Sequence, residues 1–294
     1  MKRVENLSPA IPEPAFLEHE GTSPIAYRPS GLEGSKVPVL MLHGLESHSG
    51  WFVQSAAHIA SLGHPVYAMD RSGSGVSQAP RGDCADFRDW LAEIKILAHE
   101  LLSTHHASRF HLLGHCFGAI PATAFACEQP AMLESLILAT PAIYTKAEPS
   151  AGEKLKILWA AFGTSDLHIP VSLKTEWFTD QQEYMQFIET DPLALKSASA
   201  RLYWQIMRAR KFIHANEQNL TMPIMTAMAG KDRICDNQKD KQFFDRLPAP
   251  KKELLHYPEA VHILEYSSEK NAFFTDLAEW LSGIETSPLV AADE

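Results

Sequence analysis

The residues best suited to chemistry in this chain of 294 residues are positions 114–118, which read Gly-His-Cys-Phe-Gly. They follow an apolar run that ends at Leu113 and precede an apolar, helix-like segment over 119–128, which is the strand–turn–helix context of a nucleophile elbow. The central residue of such a turn has a strained backbone, so glycines must flank it where the chain crowds itself. The pattern predicts that Cys116 is a nucleophile.

Cys116 is expected to be a reactive thiol. The positive end of the helix macrodipole and a neighbouring imidazole both stabilise a thiolate, so its pKa should fall below the value of about 8.5 of a free thiol. The alternative is a small core cysteine whose glycines serve only helix–strand packing. The other three cysteines, Cys84, Cys127 and Cys235, show no C-x-x-C spacing and are too sparse for a disulfide scaffold. They are predicted to be ordinary, although Cys235 is only three residues from Asp232.

A thiolate needs a base, and the base needs an acid that orients it. In the chain order nucleophile, acid, histidine, Asp232 directly follows one strand-like run and His262 follows the next run and its loop. Loops at the carboxyl ends of parallel strands share one edge of the sheet, so both side chains can converge on Cys116. Asp236 and Asp240 are weaker candidates for the acid, because they lie farther from the strand, where a surface loop or helix is expected.

Two backbone N–H groups should face the negative charge that develops when a nucleophile attacks a carbonyl. Phe117 would supply one, and Leu45 would supply the other from the turn 43–45 after an early strand. His43 in that turn is a candidate substrate-binding residue; the alternative is a plain strand-to-loop turn. A second glycine-rich turn, residues 70–75, does not match a nucleotide-binding fingerprint, because a glutamine stands where the third glycine is required.

The composition excludes several classes of partner. The formal net charge is −10 and no basic run stands out, so nucleic acid is not an expected partner. The longest apolar stretches fall short of the roughly 20 residues of a membrane-spanning helix, and the first residues lack the apolar segment of a signal peptide. We expect a cytoplasmic protein that acts on a small molecule without a metal or other cofactor; the sequence leaves its oligomeric state open.

Alternating apolar runs and helix-patterned segments predict a mostly parallel sheet covered by helices. Apolar residues at steps of three and four predict that one such helix covers 87–102. Residues 144–219 have no clear strand and are rich in aromatics, so we predict that they form a mostly helical cap on one core, made of residues 1–143 and 220–294. The runs predicted as strands are 37–42, 64–69, 110–113, 136–139, 224–229 and 252–255.

Five segments, taken in order, resemble the α/β-hydrolase family in its branch of monoacylglycerol lipases and lysophospholipase-like enzymes. The segments are residues 42–51, 67–77, 113–118, 230–232 and 261–262. The resemblance implies an eight-stranded, mostly parallel sheet with a helical cap between strands six and seven, and acyl transfer through a covalent acyl-enzyme. It also implies the roles of the site residues. The nucleophile would be Cys116, the base His262, the acid Asp232, and the oxyanion donors Leu45 and Phe117.

The same resemblance implies an apolar acyl pocket lined by aromatic residues of the cap, unless most of these form the core of the cap itself. The aromatics predicted to bind substrate are Trp159, Trp177, Phe178 and Trp204.

The departure from the family pattern is a cysteine in place of the usual serine. Its acyl-enzyme would be a thioester, which is more reactive toward amines and thiols than an ester. Three hypotheses follow. The first is a hydrolase of a carboxylic ester or thioester with a hydrophobic acyl group. The second is an acyltransferase or condensing enzyme that passes the acyl group from Cys116 to an amine, thiol or carbon acceptor. The third is a non-catalytic binding protein on the same fold.

Overall fold

An eight-stranded sheet runs through the middle of the protein, whose structure is a computed structural model that describes residues 11–21, 23–146, 152, 155, 157 and 167–285. Its order is β1-β2-β4-β3-β5-β6-β9-β10. β1 and β2 are antiparallel to their neighbours, and all pairs from β4 to β10 are parallel. The strands are β1 (Ala15–Leu17), β2 (Ile25–Ser30), β3 (Val39–Leu42), β4 (Val66–Asp70), β5 (Phe110–His115), β6 (Leu133–Ala139), β7 (His168–Pro170), β8 (Ser197–Ser199), β9 (Ile224–Ala229) and β10 (Lys252–Tyr257). The predicted mostly parallel sheet is confirmed.

Helices flank the sheet on the described part of the chain. The central strands β3, β4, β5 and β9 are buried along their whole length, as expected of parallel strands covered on both faces. The helices are α1 (Val53–Ser61), α2 (Phe87–Thr104), α3 (Ala119–Glu128), α4 (Gln182–Thr190), α5 (Ala200–Asn216), α6 (Asn237–Arg246) and α7 (Lys270–Glu285). The predicted apolar stripe of α2 is its buried face, and a capping box at Asp86 and Asp89 fixes where this helix begins.

The parallel strands end in register at one edge of the sheet. Leu42 at the end of β3 pairs with Gly114 of β5, and Ala229 at the end of β9 pairs with Tyr257 at the end of β10. The loops that leave these four ends carry the predicted oxyanion turn, nucleophile, acid and base, respectively. The fold therefore delivers all of them to the same edge.

Two parts of the fold differ from the sequence pattern. The antiparallel strands β1 and β2 were not predicted, since neither has a clear apolar alternation. The segment between β6 and β9 contains, besides α4 and α5, the three-residue strands β7 and β8, in which His168 pairs with Ser199. Strands this short leave no periodic signal. The division into a core and a cap stays a prediction. No helix in the described ranges combines the length and the apolar character needed to cross a membrane.

Candidate active site

Cys116 is at the tip of a tight turn between β5 and α3. Its φ of +50° lies in the left-handed region that non-glycine residues rarely adopt. A Cβ at Gly114 would lie 2.6 Å from the carbonyl oxygen of Gly118, and a Cβ at Gly118 would lie 2.5 Å from that of Leu42. Both flanking positions therefore require glycine, and the turn has the conformation predicted for a nucleophile elbow.

The structure brings His262 and Asp232 together in a buried pair. The imidazole Nδ1 donates a hydrogen bond to Asp232 Oδ2 at 2.8 Å. The other carboxylate oxygen, Oδ1, accepts the backbone N–H groups of Ile234 and Cys235 at 2.8 and 2.9 Å. These three hydrogen bonds hold the carboxylate, and through it the ring, in one orientation.

The second ring nitrogen of His262 is free to act on the nucleophile. Nε2 is buried and has no hydrogen-bond partner in the part of the chain that the structure describes, His262 and Cys116 line the same small cavity, and each shifts the pKa of the other. The structure thus brings Cys116, His262 and Asp232 together, although they are far apart in the chain. This is the arrangement in which an imidazole relays protons to and from a nucleophile.

Charges favour a thiolate–imidazolium pair in this site. A hydrogen bond from Cys235 lowers the pKa of Cys116 well below its ordinary value; burial opposes this shift and His262 reinforces it. Burial by itself lowers the pKa of His262, but the charges and hydrogen bonds of Asp232 and Cys116 outweigh it and raise the pKa. Both shifts favour the thiolate, the form of the sulfur that attacks without prior proton transfer.

Cys235 is a part of the site that the sequence analysis treated as ordinary. Its side chain is 1% exposed and its sulfur is 3.2 Å from the carbonyl oxygen of Thr140. Burial and the neighbouring Cys116 raise the pKa of Cys235 well above the ordinary value, so it stays a thiol that donates a hydrogen bond. In the sequence, only its spacing of three residues from Asp232 indicated that Cys235 lies near the site.

Asp232, Cys235 and His262 also have ligand-type atoms within 4.8 Å of one another, and they are the one such group of three or more among the described residues. Asp232 and His262 are already hydrogen-bonded to each other. A cation bound by all three would have to replace that bond. The set therefore fits the triad better than a resident metal site.

Arg71 fixes the two residues predicted to supply oxyanion donors. Its Nη2 donates to the carbonyl oxygen of Leu45 at 2.7 Å, and its guanidinium lies 4.8 Å from the centre of the Phe117 ring. Leu45 and Phe117 line the same cavity as Cys116. Arg71 therefore restricts the movement of both residues. Donors that are already in position can stabilise a developing negative charge without rearrangement.

The His43 ring packs against the backbone of the turn 43–45 that carries Leu45. Nδ1 donates to the carbonyl oxygen of Gly44 at 2.8 Å, and Nε2 accepts the backbone N–H of Arg71 at 3.3 Å. Burial, reinforced by Arg71, lowers the pKa of His43 to about 3, so the ring is neutral and can make both bonds. These bonds make His43 a support of the turn, and it is not among the described residues that line either cavity beside Cys116; a contact of His43 with substrate stays a prediction.

A cavity of about 250 Å³ opens beside Cys116, and its lining is mainly apolar. The apolar side chains come from α3, α5, β7 and the segment that follows β7, and include Ile120, Ile169, Val171, Leu173, Trp177 and Ile206. Helix α5 also contributes Arg210, which donates to the carbonyl oxygen of Ala142 at 3.0 Å. The size and lining fit an acyl chain rather than a polar group.

The four aromatics predicted to bind substrate have different positions. Trp177 lines this cavity. Phe178 instead lies beside the base, with its ring centre 5.9 Å from that of His262. Trp204 packs on a small apolar cluster that contains Ile169 and is not among the described residues lining the cavity. Trp159 lies outside the described residues.

A second, much smaller cavity adjoins Cys116 on the side of His262. Its volume of about 10 Å³ is close to the least that holds one water. It is bordered by Glu46 and Ser47, whose Oε2 and Oγ are buried and have no hydrogen-bond partner among the described residues. The cavity thus offers a small molecule such as water a place beside both Cys116 and His262.

Glu46 was not singled out from the sequence, although it directly follows Leu45. Burial raises the pKa of its carboxyl, and the hydrogen bond from Lys196 opposes that rise. Lys196 Nζ lies 2.6 Å from Oε1, and it comes from the segment between β6 and β9. This ion pair therefore links the predicted cap to the loop after β3, which carries Leu45.

The two alternative acids take no part in the pair with His262. Asp236 caps the N-terminus of α6, where it accepts the backbone N–H of Lys239. Asp240 accepts the backbone N–H of Tyr144 at 3.0 Å. Its position on a helix was expected, but its burial was not: the side chain packs inward, and burial raises its pKa to about 8.

Comparison with protein families identifies one that matches most of the chain. The family Hydrolase_4, described as serine aminopeptidase S33, matches residues 34–269. Its description names a serine enzyme, whereas the elbow of this chain carries Cys116.

Curated relatives are distant but extend over nearly the whole chain. The monoglyceride lipase of Rattus norvegicus is 24% identical over 269 residues, which are 87% of this chain and 85% of the relative. The monoglyceride lipase of Saccharomyces cerevisiae is 23% identical over 262 residues, or 83% of each chain.

Solved structures share the fold. A soluble variant of the Saccharomyces cerevisiae monoglyceride lipase, in complex with a substrate analogue, superposes with a TM-score of 0.81 at 20% identity and covers 96% of this chain and 98% of its own. The monoacylglycerol lipase of Paleococcus ferrophilus gives a TM-score of 0.79 at 20% identity and covers 88% of this chain and 99% of its own.

Proposed function

The chain belongs to the Hydrolase_4 family of α/β-hydrolases, and from that premise we propose that it hydrolyses a carboxylic ester or thioester with a hydrophobic acyl group. The reaction would need no cofactor and would pass through a thioester on Cys116. The observation that carries the proposal is the place of Cys116 between the large apolar cavity and the small cavity that His262 also lines. The first suits the acyl chain, and the second suits the nucleophile that releases it.

In the first half-reaction the Cys116 thiolate attacks the substrate carbonyl carbon, and the carbonyl oxygen takes up the negative charge. The backbone N–H groups of Leu45 and Phe117 are the proposed donors to that oxygen. When the tetrahedral intermediate collapses, the bond to the alcohol or thiol breaks and the His262 imidazolium protonates the leaving group. Asp232 stabilises the imidazolium throughout and does not itself take the proton.

In the second half-reaction water attacks the thioester from the small cavity. Neutral His262 removes a proton from the water as the carbon–oxygen bond forms. The second tetrahedral intermediate then expels Cys116 as a thiolate, and a free acid leaves. Glu46 and Ser47 border the cavity, so they are the proposed hydrogen-bond partners of the attacking water.

Acyl transfer is the second candidate, and the cysteine itself favours it. A thioester at Cys116 reacts more readily with amines and thiols than the oxygen ester of a serine enzyme would. In that case the acceptor would replace water in the second half-reaction, with every other role unchanged.

A panel of acyl esters and acyl thioesters, including monoacylglycerols, tests the proposal. We expect free acid to be released without any added acceptor. Mass spectrometry identifies the products. Product that forms only after an amine or thiol is added would favour the acyltransferase. Absence of turnover with every donor and acceptor, and of any acyl adduct on Cys116, would point to a binding protein instead.

The role of the apolar cavity can be tested by filling it. Ile206 of α5 is buried in its wall, so we expect Ile206→Phe to shorten the space for the acyl chain. For a long-chain substrate kcat/KM should fall by about 10- to 100-fold, while an acetyl substrate should change by less than about twofold. Steady-state kinetics with esters of increasing chain length gives both values.

Met207 offers the matched control, because it is the next residue of the same helix and its side chain is 50% exposed. Met207→Phe should leave the chain-length profile unchanged. An equal loss for acetyl and long-chain esters in Ile206→Phe would show that the cavity does not hold the acyl group.

A further inference from the structure

Two cysteines belong to the candidate active site, and they differ in accessibility. Cys116 lines both cavities. Cys235 is 1% exposed and is not among the described residues that line either one. A small molecule that enters either cavity therefore reaches Cys116 and not Cys235.

The backbone around Cys235 is fixed on both sides. Its own N–H is bonded to Asp232 Oδ1 at 2.9 Å, and Thr145 pairs with it as an isolated antiparallel bridge. Its sulfur donates a hydrogen bond to the carbonyl oxygen of Thr140 at 3.2 Å and lies within 4.8 Å of a ring nitrogen of His262. Two residues beyond Thr140, the backbone N–H of Ala142 donates to the carbonyl oxygen of Cys116 at 3.0 Å. The same short segment after β6 therefore holds both cysteines beside the base.

We propose that Cys116 and Cys235 form an intramolecular disulfide when a peroxide oxidises the nucleophile, and that this bond protects the site reversibly. The inference rests on the proposed function in one respect, which is that Cys116 is a reactive thiolate. Beyond the proposed function, it assigns a modification site at Cys116, a functional role to Cys235 and peroxides as the class of reactant.

The chemistry balances in two steps. In the first, the Cys116 thiolate attacks one peroxide oxygen; a sulfur–oxygen bond forms, the oxygen–oxygen bond breaks, and the leaving alkoxide or hydroxide takes a proton from His262. The sulfur, now a sulfenic acid, has lost two electrons and the peroxide has gained them. In the second, Cys235 gives up its proton and attacks the Cys116 sulfur; the disulfide forms and the hydroxyl leaves as water.

The other two cysteines provide internal comparisons. Cys84 donates to the carbonyl oxygen of Asp86 at 3.1 Å, and burial raises its pKa. Cys127 is near the end of α3, and burial raises its pKa to about 12. Neither is a ready thiolate, so neither should be oxidised at low peroxide concentration.

The test is mass spectrometry of the full chain after treatment with a several-fold molar excess of hydrogen peroxide, because oxidation of one thiol to a sulfonic acid consumes about three equivalents. We expect a loss of about 2 Da, a peptide map that links Cys116 to Cys235, and full recovery with dithiothreitol. In Cys235→Ser and Cys235→Ala, Cys116 should instead gain about 32 or 48 Da and not recover. Cys127→Ser should behave like the parent.

Two outcomes would overturn the proposal. One is over-oxidation of Cys116 in the parent to the same extent as in Cys235→Ser, and the other is a disulfide that joins a different pair. Alkylation of the reduced parent by iodoacetamide at neutral pH separates this failure from failure of the proposed function. If Cys116 is alkylated rapidly but no disulfide forms, only the disulfide is refuted; if Cys116 resists alkylation, both fail.

Discussion

Replacement of Cys116 by alanine is expected to lower kcat/KM by at least about 1,000-fold, because removal of the nucleophile leaves only binding and the oxyanion site to act. The fold should be retained, since the side chain borders two cavities and forms no part of the glycine-dependent turn. Initial rates on the best substrate of the panel, together with Tm from a thermal melt, measure both effects. A Cys116→Ala protein with parental activity would refute the assignment of the nucleophile.

Two further variants make this result specific. Cys127→Ala removes a buried cysteine from the same helix–strand unit and should leave the rate unchanged. Cys116→Ser keeps the elbow but changes the acyl-enzyme from a thioester to an ester. If Cys116→Ser hydrolyses oxygen esters faster than the parent, then the parent is adapted to acyl transfer or to thioesters rather than to simple ester hydrolysis.

The sequence predicts the elbow because its physical demands are local. The crowding around Gly114 and Gly118 and the strained backbone of Cys116 all follow from a turn of five residues between a strand and a helix. The same holds for the central strands, which are continuous apolar runs because both of their faces are covered. Patterns of this kind are complete within a short stretch of chain.

What the sequence does not predict depends on contacts between distant segments. Cys235 belongs to the site only because its loop pairs with Thr145 and because its sulfur bonds the carbonyl oxygen of Thr140. The ion pair between Glu46 and Lys196 joins positions 150 residues apart in the chain. Asp240 is buried by the approach of Tyr144 to α6, which no helical periodicity encodes.

His43 shows that a motif can predict where a residue lies without predicting its contacts. The turn that contains it is where the motif places it, and Leu45 does line the cavity. The direction of the His43 ring, however, is set by Gly44 and Arg71, and Arg71 comes from the end of a different strand. A polar residue in a functional loop is therefore as apt to hold the loop as to touch the substrate.

The cysteine changes what the triad must do. In a serine enzyme the histidine must remove the proton of a hydroxyl during attack. In this site the pKa of Cys116 is lowered and that of His262 is raised, and both shifts favour a thiolate beside an imidazolium. The acid then serves mainly to hold the imidazolium in place and to keep it charged, and its removal has a distinct signature in the pH dependence.

Asp232→Asn should lower kcat/KM by about 1,000- to 10,000-fold while the fold is retained, because the ring loses both its orientation and its stabilising charge. The carboxylate raises the pKa of His262, so its loss lowers that pKa. The imidazolium then gives way to neutral imidazole at neutral pH, and its support for the thiolate is lost. Alkylation of Cys116 by iodoacetamide should slow at neutral pH and recover as the pH rises.

Asp240→Asn is the matched control for Asp232→Asn. Asp240 is also a buried aspartate of the same loop–helix segment, but its raised pKa of about 8 means that it is largely protonated at neutral pH. An asparagine therefore resembles the neutral acid and can still accept the backbone N–H of Tyr144. We expect nearly parental kinetics and an unchanged pH profile for alkylation. If the two variants lose activity equally, the loss reflects general damage to this segment, and Asp232 is not the acid that orients His262.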